Sequence, residues 1–112
     1  EEGKQELQHI SDLQDFYYSK WDVEHLRQVD DAFHDTICFM SRRAVIKDTL
    51  VPLHRKTRRY RRQAMQDKER ATHTLAEHHE ICDAICSGDA ELARNLLSKH
   101  IENAKLYMLG RK

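Results

Sequence analysis

Eight histidines among 112 residues are the feature of this sequence that first invites chemistry. Imidazole is the common nitrogen ligand of transition metals and titrates near neutral pH. Position sorts the eight. His9, His25, His54 and His73 fall on no apolar stripe and read as surface residues. His34 lies beside the stripe Leu26, Val29, Phe33, Ile37. His78 sits between Leu75 and Ile81, and His100 between Leu96/Leu97 and Ala104. Each of these three needs partners for two ring nitrogens once buried. One carboxylate joins them. Asp30 and His34 are four residues apart, about 40° around a helix and one turn along it, so their side chains converge. Asp30, His34, His78 and His100 together offer three imidazoles and a carboxylate, a set suited to a divalent metal, zinc ahead of nickel or manganese. Asp31 and His79 are rival ligands. A shift of one position turns a side chain by about 100°, so one member of each pair faces in, and the stripe favours His78.

Patterns that would make such a metal catalytic are missing. There is no His-Glu-x-x-His, no nucleophile elbow and no glycine loop to cradle a phosphate. Glu77 and Glu80 stand near His78, but nothing marks either as a general base. The expectation is a binding domain, not an enzyme. Cys38, Cys82 and Cys86 are too few, and odd in number, for a disulfide framework, which points to a reducing cytoplasm. Cys82 and Cys86 share a helix face and read as small buried apolar residues.

The elements that must position these side chains are helices. Three glycines and one proline cannot supply the turns of a β sandwich or barrel. A hydrophobic share of 39% is enough for one core, and no apolar run is long enough to span a membrane. Apolar residues recur at spacings of three and four over 5–18, 23–40, 43–66, 70–86 and 90–109. Asp22 and Asp89 suit helix N-caps, and Gly88 suits the left-handed position that ends a helix. Pro52 predicts a kink near Asp48–Pro52 in the third helix. The fold class is all-α: an antiparallel bundle of about five to six helices, in one domain, with the metal set in its interior.

The balanced net charge hides an asymmetry. Residues 1–40 carry −7, residues 41–70 carry +8 and the remainder −1. The basic run Arg55-Lys56-Thr57-Arg58-Arg59-Tyr60-Arg61-Arg62 reads as a helix face that meets the acidic first segment, in preference to a nucleic-acid patch.

Three motifs together resemble a known family. Asp30-Asp31-Ala32-Phe33-His34 is similar to the D-x-x-F-H signature of the FCD domain. Glu77-His78-x-x-Ile81-x-x-Ala84-Ile85-x-x-Gly88-Asp89 continues the likeness, and Ala93 and His100 follow at the family's spacing. The FCD domain is the C-terminal ligand-binding domain of FadR-type regulators in the GntR superfamily of bacterial transcription factors. The likeness spans about Leu7 to Leu109. It implies a helical bundle with an interior metal on Asp30, His34, His78 and His100, and a small organic acid bound at or beside it. Ser41-Arg42-Arg43 stands where the family often has Ser-x-Asn, and the family's earlier helix, with its effector-binding arginine, has no counterpart.

The resulting expectation is specific. Residues 1–112 form the effector-binding and dimerising domain of a cytoplasmic regulator, lacking its first helix and the N-terminal winged helix-turn-helix domain. DNA would be reached only through that missing domain, and no membrane is involved. The acid is expected to take open positions on the metal. Arg58, Arg59 or Arg62 would hold its carboxylate, and Tyr60 would add a hydroxyl. The alternative is a metal-braced helical dimerisation module with no small-molecule effector.

Overall fold

The computed structural model describes residues 2–40 and 58–110, and all its regular elements are helices. They are α1 (Glu2–Ser19), α2 (Val23–Met40), α3 (58–64), α4 (Lys68–Cys86) and α5 (Ala90–Met108). The kink expected near Asp48–Pro52 lies outside the described residues.

Local chemistry sets the joints. Trp21 adopts φ 51° at the end of α1. The amides of Asp22 and Trp21 then donate back to the carbonyls of Tyr17 and Tyr18, both at 2.9 Å, closing a Schellman turn. Asp22 begins α2 at once: its side chain accepts from the His25 amide at 3.3 Å. Gly88 does the same work at the end of α4, with φ 83° and amide bonds from Asp89 to Ala84 and from Gly88 to Ile85. Asp89 then caps α5 through the Leu92 amide at 3.0 Å. Replacing Gly88 by Ala forces a Cβ into the left-handed region. The expected loss is about 1 kcal/mol, read as a lower urea midpoint at unchanged slope.

Two boundaries differ from the sequence reading. The third helix ends at residue 64 and the fourth begins at Lys68, because Asp67 caps α4 by accepting from the amides of Glu69 and Arg70. Periodicity set both bounds two residues late, at 66 and 70, because the turn of three residues holds no glycine or proline.

Neighbouring helices run antiparallel. Along α1 and α4, Gln8 approaches Cys82, Gln14 meets His78, and Tyr18 meets Thr72. Along α4 and α5, Asp67 meets Tyr107 and Glu77 meets His100. The basic run of α3 lies on acidic α2: Asp31 accepts from Arg58, Arg61 and Arg62 at 3.1, 3.2 and 3.0 Å, and Glu24 pairs with Arg62 at 3.2 Å.

One apolar cluster joins Leu7, Ile10, Val29, Phe33, Ile37, Ile81 and Cys82, and a second joins Leu26, Met65, Ala71 and Leu75. Burial pushes the Cys82 thiol up to about 12, with Cys86 adding to the shift, so it serves as an apolar core group at neutral pH. The face expected on α5 is shallower than its spacing suggested. His100 is buried, whereas Leu92 is 45% exposed, because α5 packs mainly on α4 at the edge of the bundle.

Candidate metal and effector site

Four side chains from three helices meet between the two apolar clusters. Asp30 and His34 come from α2, His78 from α4 and His100 from α5. All four are at least 96% buried. One ring nitrogen of each of His34, His78 and His100 lies within 4.8 Å of the other two. Oδ1 of Asp30 is 3.5 Å from His34 Nε2 and 3.7 Å from His78 Nε2. The rival residues point elsewhere. Asp31 is taken by the α3 arginines, and His79 bonds Ser11 at 3.2 Å and Asp15 at 2.8 Å on the α1 side.

The surroundings orient the imidazoles. His78 Nδ1 donates to Gln14 Oε1 at 2.6 Å, leaving the lone pair of Nε2 directed at the cluster. Phe33 lies flat on the same ring, centroid to centroid 3.9 Å at 13°. His100 Nδ1 donates to Glu77 at 2.5 Å. Glu77 also accepts from Asn103 at 2.9 Å and faces Arg70 at 3.6 Å. Burial alone would raise the Glu77 pKa, but the His100 bond, Asn103 and the Arg70 charge outweigh it and hold it below the ordinary value. Burial holds His78 well below the ordinary imidazole value, and His100 adds to this against the pull of Asp30. The neutral imidazole is the form that binds metal.

These groups fit a divalent cation. Both oxygens of Asp30 and Nε2 of His78 are buried and make no hydrogen bond. Such groups cost free energy unless something satisfies them. A carboxylate and imidazole nitrogens, gathered within a few ångströms and backed by oriented hydrogen bonds, form a ligand set for zinc or a similar ion.

The cluster forms the floor of a cavity of about 480 Å³. Asp30, His34 and His100 line it from below, and Tyr60, Arg61 and Met65 from the α3 side. Arg70, Thr74, Ile101, Ala104, Lys105 and Tyr107 complete the walls. Of the four effector contacts expected from sequence, the structure brings only Tyr60 here. Arg58, Arg59 and Arg62 instead line a separate, open hollow with Arg27. The reason is rotational. On a helix, residues 58 and 62 share one face and reach Asp31, while Arg61, which also bonds Asp31, turns its Nε toward Asp30, 3.5 Å from Oδ2.

Sequence reasoning missed Gln14, Arg61 and Arg70, and it named Glu77 only as a neighbour of His78 and a member of the second family motif. Two of these had a signal. Gln14 follows Leu7 and Ile10 at helical spacing, a polar residue on an apolar stripe. Arg61 is four residues from Thr57 and three from Ala64, but the surrounding arginines hid that register. Glu77 and Arg70 act across α4 and α5, and no apolar stripe marks those contacts.

A buried histidine and carboxylate cluster under a cavity, in an all-α bundle, is an arrangement that can take a small ligand. The sequence pattern of the FCD domain matches residues 1–103, and the chain belongs to that family. FCD domains are the effector-binding, regulatory domains of GntR-type transcriptional regulators. Searches of curated proteins and of solved structures gave no match. No helix among the described residues is long and apolar enough to cross a membrane.

Proposed function

We propose that this chain senses a small carboxylic acid through a divalent metal held by Asp30, His34, His78 and His100, and so controls DNA binding by an attached winged-helix domain. The observation that carries the reading is the coincidence of the ligand cluster with the floor of a cavity of about 480 Å³. A metal that only braced the bundle would need no such space beside it. When bound, the cation supplies a Lewis-acid centre that draws an anionic group to the cavity floor.

The chain's own residues do the rest. Gln14 and Glu77 fix which nitrogen of His78 and His100 faces the site. Arg61 stands beside Asp30 with the fork geometry that suits a carboxylate, and takes the part expected of Arg58, Arg59 and Arg62. Tyr60 offers a hydroxyl from the half-exposed rim. The domain acts as a homodimer in the cytoplasm of a bacterium, joined to its DNA-binding domain upstream. An acid bound between α3 and α5 alters DNA binding only by favouring one helix arrangement over another.

The test is metal content by mass spectrometry, for the purified chain and for His78→Ala and His100→Asn. About one metal per chain, lost in both variants, supports the site. The metal-loaded chain is then screened with short carboxylic acids for thermal stabilisation. Absence of metal after soaking with zinc and nickel overturns the site. Metal without stabilisation by any acid returns the reading to a metal-braced module.

Glu77→Gln probes the support of the site separately. It removes the charge that faces His100 and keeps the shape. Metal affinity is expected to fall about 10–100-fold in a chelator competition, with the helical circular dichroism unchanged.

A further inference from the structure

The walls of the cavity carry more charge than one carboxylate needs. Arg61, Arg70 and Lys105 are positive, and Asp30, Glu102 and the adjoining Glu77 are negative. Arg61 already faces two carboxylates, Asp30 and Asp31, so Arg70 and Lys105 are the less engaged cations of the walls.

The cations are also placed for a second anionic group. Helices α4 and α5 are antiparallel, so going from His78 back to Arg70 and from His100 on to Lys105 leads the same way along the cavity. The axial rises are about 12 Å and about 7.5 Å at 1.5 Å per residue. Arg70 is largely buried, at 11% side-chain exposure, and lies over the Tyr107 ring at 5.7 Å. Its ion pair to Glu77, at 3.6 Å, is longer than a hydrogen bond and leaves guanidinium donors to spare. Lys105 is exposed and makes no ion pair among the described residues, although Glu102 is only one turn away. The rest of the lining is mostly apolar, with Ala64, Met65, Ile101 and Ala104 beside the hydroxyl of Thr74. Apolar walls of this kind suit a methylene spacer.

We propose that the effector is a dicarboxylate with a methylene spacer, one end at the metal and Arg61, the other held by Arg70 and Lys105. This rests on the effector reading above and names the class of acid.

Calorimetry on the zinc-loaded chain tests it, with glutarate and adipate against valerate and hexanoate. The dicarboxylates are expected to bind at least about tenfold more tightly, the worth of one charge-assisted contact. The ratio between the acids of matched length is the readout, because any change in zinc affinity affects both alike. Arg70→Gln and Lys105→Gln should each shrink that ratio, and the double variant should bring it near one. Lys105 is exposed, so its replacement leaves the fold intact even if Arg70→Gln does not. Equal binding of both classes, or a ratio that survives the variants, overturns the dicarboxylate assignment and leaves acid sensing standing. Zinc uptake with binding of neither class overturns the effector reading itself, and the dicarboxylate assignment falls with it.

Discussion

Zinc is expected to raise the melting temperature of this chain by about 15 °C, and a chelator to reverse the gain. The cluster in its metal-free state is a source of instability. Asp30 is 99% buried and neither carboxylate oxygen accepts a hydrogen bond. Three imidazoles crowd against it, with ring centroids 4.9 to 5.4 Å apart. A cation that binds the folded chain and not the unfolded one stabilises by RT ln(1 + [L]/Kd), about 4 kcal/mol at a thousandfold excess over Kd. For a domain of this size each kcal/mol moves the midpoint by roughly 4 °C. The measurement is a thermal scan with excess zinc and again with a chelator. In His34→Ala the zinc-dependent part should disappear, while the chelator-treated midpoint moves far less. A chain whose midpoint ignores zinc has no interior metal site, and the effector reading loses its anchor.

The fold was legible because helical periodicity is a local signal. The apolar stripe of α2 is buried from Leu26 to Ile37 at the positions its spacing indicates. The capping roles of Asp22 and Asp89 and the left-handed turn at Gly88 follow from single residue types. The convergence of Asp30, His34, His78 and His100 was legible for a related reason. Each lies on or beside a stripe, and stripes of packed helices face one another. The cavity walls were not legible in this way. Whether Arg58, Arg61 or Arg62 faces the site depends on the rotation of α3 against α2, which their three contacts with Asp31 reflect. The joint between α3 and α4 was expected two residues late, because Asp67 stops the run without glycine or proline. Its carboxylate both caps α4 and accepts from Tyr107 at 3.1 Å, a link to α5 that spacing cannot reveal.

Phe33→Ala should be the most damaging single change to the core, and it should also weaken the metal site. Phe33 is fully buried among α1, α2 and α4 in the larger apolar cluster. Truncating such a ring costs about 3–5 kcal/mol, from lost transfer energy and from the cavity left behind. A small domain has about 5–15 kcal/mol in total, so the variant sits near the edge of folding at 37 °C. The second effect comes from geometry. Phe33 covers the face of His78 at 3.9 Å and meets His34 edge-on at 5.7 Å, so its loss frees two of the proposed ligands to turn. Phe33→Leu separates the two consequences. It keeps most of the volume, for a cost of about 1.5 kcal/mol or less, and removes the flat surface. Urea unfolding in chelator measures the first effect, and a zinc competition assay measures the second. In Phe33→Leu, zinc affinity should fall by a larger free energy than stability does. If affinity is unchanged in that variant, the Gln14 bond alone orients His78 and the ring serves only the core. If Phe33→Ala loses less than about 1.5 kcal/mol, the three helices do not pack around this residue, and the arrangement that brings the histidines together is wrong.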